Sequence, residues 1–263
     1  MILCVNIGNA IISFGVFDLH GQMVVSFDIA SDFRKTPDEY VAIIKSICSV
    51  KNIEINNVEG AIISSVVPSF TRTIETAVSD FANIKAMVVG PGIKTGFHIN
   101  IDNPSELGAD MVSNTAAALQ MRKSGEAIIV ADLGMINTIS AINVNGEYVG
   151  CSIFPGVQLS FDMLHAGTAL IPSINSGELS KAIGKNSQSS VRSGVLLGEA
   201  MAIDGFVEKF KKELNVWQDK LLLVATGNYA KVLLPCMKSQ FSYDPYLTLK
   251  GLYIIYKHNS DSK

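Results

Sequence analysis

The chain has 263 residues, of which 48% are hydrophobic and 17% are charged, and its formal net charge is −3. This length and composition suit a globular protein of one large domain or two domains of ordinary size. The small negative charge gives no support to binding of nucleic acid or of a membrane surface. No apolar run has the length of a membrane span, and no charged region precedes the first apolar segment, so neither a membrane span nor a signal peptide is expected.

Four cysteines lie far apart in apolar or turn contexts, and the four histidines are scattered along the chain. Neither set has the spacing of a metal site. Unpaired cysteines of this kind are typical of proteins that are kept reduced in the cytoplasm. We therefore expect a cytoplasmic protein without a metal site built of cysteine or histidine.

The first thirty residues predict three antiparallel strands joined by short turns. Apolar runs occupy residues 2–5, 11–17 and 23–29. Between the first two runs, Gly8 and Asn9 form a turn pair that tolerates positive φ. Backbone N–H groups gathered at such a turn are able to hold a phosphate without a helix.

The remainder of the first half alternates helices and strands. The sequence TPDE at residues 36–39 predicts a capping box with proline at the first helical position. A strand at residues 60–67, a helix after Pro68 and a short strand at residues 86–89 follow. The order βββαβαβ predicts an α/β layer with a mixed sheet.

The second half begins with a predicted helix start at residues 103–106, where Asn103 is the N-cap and proline follows it. This helix is expected to continue through residue 119. Three strands are predicted next, at residues 127–131, 139–144 and 147–153, and two helices follow at residues 157–164 and 195–214. The last predicted elements are a strand at residues 220–225, a helix that begins near residue 229 and a final helix at residues 244–256.

The second half repeats the strand–turn–strand device of the first. The segment DLGMINT at residues 132–138 follows one apolar strand and precedes another, as NIGNA at residues 6–10 does. Two unrelated hairpins would give the same local pattern. Because the elements that follow also correspond, we interpret the chain as a duplication with one phosphate-binding hairpin in each lobe.

These motifs, in this order, resemble those of the type III pantothenate kinases, in the superfamily of acetate kinase, sugar kinases, Hsp70 and actin. The family opens with Asp-x-Gly-Asn-Thr, and its second motif is Asp-Phe-Gly-Thr-Ala-Thr-Thr. Further similar segments are SSVVP at residues 64–68, GAD at residues 108–110 and ATGN at residues 225–228. The resemblance implies an α/β fold with two duplicated lobes of ribonuclease H-like (actin-like ATPase) topology, with mixed sheets flanked by helices. We assign the lobes to residues 1–102 and 103–263.

The resemblance implies ATP-dependent phosphorylation of pantothenate to 4'-phosphopantothenate, the first step of coenzyme A biosynthesis. It implies ATP, Mg²⁺ and a monovalent cation, K⁺ or NH₄⁺, as cofactors. It also implies a homodimer, whose interface we expect to use the strands of the second lobe and the apolar helix face at residues 195–206. Nucleic acid and membranes are not expected as partners.

By resemblance, Asp110 is the base that accepts the proton of the substrate hydroxyl, and Asp132 is the residue associated with the monovalent cation. The positions expected to contact the nucleotide are Asn6, Ile7, Gly8, Asn9, Ala10, Ile11, Ile12, Ser13, Met135, Thr226 and Gly227. The positions expected to contact the substrate are Ile101, Gly108, Ala109, Asp110, Met111 and Ser187. Structural roles remain open for both carboxylates, since an acidic residue also complements a helix N-terminus or caps a turn.

Five matched positions have less polar side chains than the family. Asn6 and Ala10 stand in place of Asp and Thr, Met135 in place of Thr, Met111 in place of Arg and Ile101 in place of Tyr. Each lost charge-stabilising contact costs roughly a hundredfold in rate. Because Asn6 and Ala10 lack the anionic metal partner and the phosphate-facing hydroxyl of the family, we expect weak binding of ATP with Mg²⁺. The sequence therefore leaves a second function open, that of a pseudokinase acting as a binding or regulatory subunit, paired with itself or with a complete homologue. A third alternative is a kinase or hydrolase of this fold with another substrate.

Overall fold

The computed structural model describes residues 1–54, 57–177 and 181–260. The chain forms two compact units. The first consists of Met1–Phe97, Asp102–Gln120 and Tyr246–Lys263, and the second of His98–Ile101 and Met121–Pro245. Each unit contains one five-stranded sheet. In the described part of the chain, no helix is long and apolar enough to cross a membrane.

The sheet of the first unit is mixed, as predicted. Its strands are β1 (Ile2–Ile7), β2 (Ile11–Phe17), β3 (Met23–Ala30), β4 (Gly60–Ser65) and β5 (Met87–Val88). Their spatial order is β3–β2–β1–β4–β5. Strand β1 pairs antiparallel with β2 and parallel with β4. The helices of this unit are α1 (Pro37–Val50), α2 (Pro68–Ala82), α3 (Ala109–Met121) and α7 (Leu247–Ser260).

Alternation of side chains along β1 divides the apolar core of this unit into two layers. Leu3 and Val5 belong to a cluster that includes side chains of α1 and α2. Ile2 and Cys4 point to the other face and belong to a cluster with side chains of α3 and α7. Helix α1 begins with the predicted capping box, in which the Thr36 hydroxyl accepts a hydrogen bond from the Glu39 N–H and the Glu39 carboxylate accepts one from the Thr36 N–H.

The sheet of the second unit repeats the connectivity of the first, in agreement with the predicted duplication. Its strands are β6 (Ala127–Leu133), β7 (Ile136–Ile142), β8 (Tyr148–Pro155), β9 (Leu221–Thr226) and β10 (Ser242–Tyr243). Their order is β10–β9–β6–β7–β8. Strand β6 pairs antiparallel with β7 and parallel with β9, as β1 does with β2 and β4. The helices are α4 (Val157–Ala166), α5 (Ser187–Glu213) and α6 (Ala230–Leu233).

The two compact units have other bounds than the lobes at residues 1–102 and 103–263 that the sequence suggested. Helices α3 and α7 belong to the first unit. Val112 of α3 and Leu252 of α7 cluster with Ile2 and Ile62 of the first sheet. Because these two helices cover one face of the first sheet, they pack with a sheet that lies far away in the sequence.

Several element boundaries differ from the predictions, among them those at three helices. The helix expected to start at Asn103 is two elements, a 3₁₀ turn at Pro104–Glu106 and helix α3, because Leu107 between them is extended and packs against the apolar cluster. Helix α5 begins at Ser187, well before residue 195, since Asn186 forms an N-terminal cap with the Ser189 N–H. Helix α7 is displaced towards the C-terminus relative to residues 244–256, and strand β10 was not predicted.

The apolar face of α5 is not a partner surface, contrary to the expectation for residues 195–206. Leu196, Ala200 and Ile203 are fully buried and pack in the core of the second unit with β6 side chains such as Ile129. A helix pattern alone does not tell whether an apolar stripe meets its own sheet or another chain. Here the sheet of the same unit covers the stripe.

Helices α3 and α7 approach each other closely at Gly251. A Cβ added there would overlap the backbone of Ser113 in α3, so we expect Gly251→Ala to lower the free energy of unfolding by roughly 1–3 kcal/mol. Gly205→Ala in α5 is the matched control, because no atom lies within 4 Å of its added Cβ; it should raise stability by about 0.5–1 kcal/mol. Urea denaturation of both variants measures the difference. Equal effects would contradict the close packing of α3 on α7.

Candidate functional site

Three polar side chains lie side by side across β2, β1 and β4, and we call them the first row. Asn6 is the register partner of Ser13 in β2 and of Ser64 in β4. The Oδ1 atom of Asn6 and the Oγ atom of Ser64 are buried and have no hydrogen-bond partner among the described residues. An unpaired buried polar atom costs about 1–3 kcal/mol. The first row is therefore a place where a ligand or water would complete the hydrogen bonding.

The second unit has an equivalent second row across β7, β6 and β9. Asp132 is the register partner of Thr138 in β7 and of Thr226 in β9. The central residue of each row lies two residues before a turn glycine, Asn6 before Gly8 and Asp132 before Gly134. The rows differ in charge, because an amide occupies the central position of the first and a carboxylate that of the second.

The turn after the first row is closed by a hydrogen bond within the turn and by another from Ser31. The Gly8 N–H donates to the Ile11 carbonyl at 3.0 Å, and the Ser31 hydroxyl donates to the Gly8 carbonyl at 2.8 Å. Neither Gly8 nor Asn9 has positive φ, so the tolerance of this pair for positive φ is not used. Glycine suits the position because an added Cβ would lie 3.0 Å from the Ile11 oxygen. Asn9 and Ala10 are exposed at the tip.

The turn after the second row is held from two sides. The Gly156 N–H, at the start of α4, donates to the Met135 carbonyl at 3.0 Å, and the Tyr229 N–H donates to the Leu133 carbonyl at 2.8 Å. Gly227 has a φ of 96°, and an added Cβ there would lie 2.5 Å from backbone atoms of Leu133. Gly156 and Gly227 therefore allow neighbouring segments to pack closely against the turn. Met135 is exposed at the tip of the turn.

Asp110 is a half-buried carboxylate in the first turn of α3. Its Oδ1 atom accepts a hydrogen bond from the Met111 N–H at 2.8 Å. The same atom lies 2.6 Å from the position that a Cβ on Gly108 would take, so glycine makes room for the carboxylate. Burial raises the pKa of Asp110 above its ordinary value, and the Met111 N–H offsets part of that rise. A carboxylate of this kind is suited to accept a proton nearer to neutral pH.

The predicted site residues divide between the two units. Residues 6–13 and 108–111 lie in the first unit, and Ile101, Asp132, Met135, Ser187, Thr226 and Gly227 lie in the second. Register pairing brings Asn6 to Ser13 and Asp132 to Thr226. Ile101, half-buried before the 3₁₀ turn, and Ser187, the exposed first residue of α5, belong to neither row.

Four polar residues, of which three are buried and Thr138 is half-buried, were not predicted as site residues. Ser64 and Thr138 complete the rows. The signal for Thr138 was present, because the hairpin register aligns it with Asp132, whereas Ser64 reaches Asn6 only through the parallel pairing of β1 with the distant β4. Asn137 and Glu199, which hydrogen-bond to each other at 2.8 Å, carried no local signal, since they lie 62 positions apart.

Within the described residues, no group of three or more histidine, cysteine, aspartate and glutamate side chains is placed to hold a metal ion. Magnesium usually takes one or two carboxylates and completes its shell with water and substrate phosphates. The oxygen atoms of the first row are of the type that magnesium prefers, but they are neutral. Bound magnesium would therefore depend on phosphate oxygens for most of its charge.

Comparison with known sequences identifies one family. The model of the type III pantothenate kinase family matches residues 2–209. The chain is 35% identical over 260 residues to a protein of Bacillus cytotoxicus named type III pantothenate kinase, and the match covers 99% of this chain and 97% of that protein.

Two solved structures share the fold across nearly the whole chain. A Campylobacter jejuni protein described as a conserved Baf family transcriptional activator has a TM-score of 0.60 at 18% identity, covering 98% of this chain and 99% of that one. The activator of 2-hydroxyisocaproyl-CoA dehydratase from Clostridium difficile, solved with ADPNP bound, has a TM-score of 0.54 at 10% identity, covering 99% and 96%. At these identities the likeness shows the fold, which is that of the actin-like ATPases.

Proposed function

The chain belongs to the type III pantothenate kinase family, and we propose that it transfers the γ-phosphoryl group of ATP to the primary hydroxyl of pantothenate, with Asp110 as the base. The family's reaction yields 4'-phosphopantothenate and is the first step of coenzyme A biosynthesis. The observation that carries the proposal is the pair of polar rows, each beside a glycine turn. Turns of this kind present backbone N–H groups to phosphate oxygens.

A coupled assay of ADP formation by the purified chain, with Mg²⁺ and K⁺, tests this function. We expect ADP to form only when pantothenate is present. Turnover that does not depend on pantothenate would contradict the proposed substrate.

Each part of the proposed mechanism rests on residues of one unit. In the first unit, the turn at Gly8–Ala10 binds phosphate oxygens, and Asp110 takes the proton of the substrate hydroxyl as the phosphoryl group is transferred. In the second unit, Met135, Thr226 and Gly227 contact the nucleotide. Phosphoryl transfer requires mostly positioning and charge stabilisation from a protein, which suits sites made of turns and short polar side chains.

The ions implied by the family have candidate ligands. Asn6 and Ser64 supply oxygen atoms that are buried without partners, and these would hold Mg²⁺ or one of its water molecules. When it is bound, Mg²⁺ neutralises charge on the phosphates. Asp132 is the carboxylate of the second row and is the proposed contact of the monovalent cation. The proposed substrate contacts are Ile101, Gly108, Ala109, Met111 and Ser187.

The neutral first row favours a second candidate function, a regulatory subunit that pairs with a motif-complete homologue. Asn6 gives this row an amide where the second row has Asp132. Without a carboxylate, magnesium-dependent binding of ATP is weak. In that case the chain alone is nearly inactive, and a mixed dimer with the homologue is active. Robust phosphorylation of pantothenate by the isolated chain would exclude this candidate.

Asp110→Asn should reduce kcat by about 10²–10⁴-fold, because the amide does not accept the proton. Gly108→Ala should give a smaller loss, since its Cβ moves the Asp110 Oδ1 atom but keeps the carboxylate. Steady-state kinetics with pantothenate measure both changes. An unchanged kcat in Asp110→Asn would show that Asp110 is not the base.

Thermal unfolding of Asp110→Asn separates catalysis from folding. Burial raises the pKa of Asp110 from its ordinary 3.8. Between pH 3.8 and the folded pKa, the folded protein therefore keeps a proton on Asp110 that the unfolded chain has lost. Stability due to this group therefore falls as pH rises from 3.8 through the folded pKa. The variant should have a higher Tm than the wild type at neutral pH, and the difference should shrink at acid pH. A lower Tm at neutral pH would indicate a structural role instead.

Asn6→Asp should increase the affinity for ATP with Mg²⁺ by about tenfold or more, because it adds an anionic oxygen to the first row. Asn9→Asp is the matched control, since it adds the same charge at the exposed tip of the same turn. Calorimetric titration with ATP, with and without Mg²⁺, reports the change. Tight magnesium-dependent binding by the wild type, or equal gains in both variants, would contradict the role of Asn6.

We also propose a homodimer, as the family resemblance implies. The second unit exposes apolar side chains on β7, β8 and α4, among them Ile136, Ile153 and Met163. Exposed apolar groups of this kind are common at subunit contacts. Light scattering of the purified chain should give twice the mass of the chain, and a monomer at micromolar concentration would exclude the homodimer.

A further inference from the structure

A buried carboxylate joins three elements of the second unit. Glu199 of α5 is only 7% exposed. Its Oε2 atom accepts a hydrogen bond from Asn137 Nδ2 of β7 at 2.8 Å, and its Oε1 atom accepts one from the Ser160 hydroxyl of α4 at 3.1 Å. We call these three residues the Glu199 cluster.

The carboxyl group of Glu199 is buried without a cationic partner in the part of the chain that the structure describes. Among the ion pairs of residues 1–54, 57–177 and 181–260, none includes Glu199. Glu199 and Asp162 both act on the Tyr229 phenol, and neither Tyr229 nor Asp162 is cationic. Burying an unpaired charge is costly, and apolar replacements of buried ionic groups are often neutral or stabilising. Stability is therefore a poor reason for a glutamate at this position.

Asn137 lies between Glu199 and the turn after the second row, which we call the second turn. It is fully buried and is the register partner of Leu133 on the other side of the turn and of Phe154 in β8. Its Nδ2 atom also donates to the Pro155 carbonyl at 3.4 Å. Pro155 precedes Gly156, whose N–H holds the Met135 carbonyl. The Asn137 amide therefore connects α5 with the end of β8, and its backbone lies in β7 directly after the turn.

We propose that Glu199 is a positioning residue for the second turn, acting through Asn137 to hold the Gly134 and Met135 peptide groups in the arrangement that binds nucleotide. This inference rests on the proposed function, in which that turn contacts ATP. It adds two residues that act as one unit, one from α5 and one from β7. Glu199 itself touches neither nucleotide nor substrate.

A double-mutant cycle tests whether the two residues act as a unit. We expect Glu199→Ala and Asn137→Ala each to raise the KM for ATP by about tenfold, and the double variant to raise it no further, because coupled residues are not additive. The KM for pantothenate should stay within about twofold of the wild type. The proposal would be overturned if the two increases in the KM for ATP multiplied in the double variant, or if the KM for ATP and the KM for pantothenate changed equally.

Conservative and control variants separate positioning from folding. Glu199→Gln keeps an oxygen for Asn137 and an amide for the Ser160 hydroxyl, so it should restore the KM for ATP to within about threefold of the wild type. Glu199→Leu keeps the packing of α5 but not the hydrogen bonds, and should behave as Glu199→Ala does. Glu208→Ala, on the exposed side of the same helix where Glu208 contacts Lys211, should have no effect. A wild-type KM for Glu199→Leu would overturn the proposal.

Amide hydrogen exchange tests the positioning without any activity. In the ligand-free protein, Glu199→Ala and Asn137→Ala should each speed exchange of the Gly156 N–H by about tenfold, whereas Glu208→Ala should leave it unchanged. Unchanged exchange in the first two variants would overturn the positioning role whatever the kinetics show. Faster exchange in a chain that does not phosphorylate pantothenate would support the positioning role while contradicting the proposed function.

Discussion

The parallel pairing of β1 with β4, and of β6 with β9, determines where the polar side chains of each unit meet. In this register, Asn6 stands beside Ser64 and Asp132 beside Thr226. A slip of one residue would send every side chain of a strand to the opposite face of its sheet. The fully buried apolar residues between the polar ones prevent such a slip, because it would expose them to water. Apolar burial thus sets the register, and the register sets the rows.

Several residues near the rows are less favourable for stability than simpler side chains would be. The Asn6 Oδ1 atom has no partner among the described residues, and burial raises the pKa of both Asp110 and Glu199. Each of these features costs free energy in the folded, ligand-free protein. Asn6 lies near the end of β1, Asp110 in the first turn of α3 and Glu199 in the middle of α5. Large apolar clusters in both units offset these local costs.

The duplicated units also show how one backbone arrangement accommodates two different charges. Both rows occupy matching places in matching sheets, yet one centre is an amide and the other a carboxylate. Both turns are tight, but the first is closed by its own strand ends and by Ser31, and the second by Gly156 and Tyr229 from neighbouring segments. The second turn therefore depends more on distant parts of its unit, and Glu199 extends that dependence to α5.

The amino-acid sequence by itself determined the order of the elements apart from β10, the capping box of α1 and the two glycine turns, because periodicity, caps and turn residues act over a few positions. At Gly8 the structure shows a close approach to the Ile11 carbonyl and no positive φ, and the turn pattern alone did not indicate that approach. Only the tertiary structure decided that Ser64 joins Asn6, that α3 and α7 cover the first sheet, and that Glu199 is buried against Asn137. These features arise from pairing and burial between residues distant in the chain, and no local pattern specifies which distant partner a strand, a helix face or a buried carboxylate will meet.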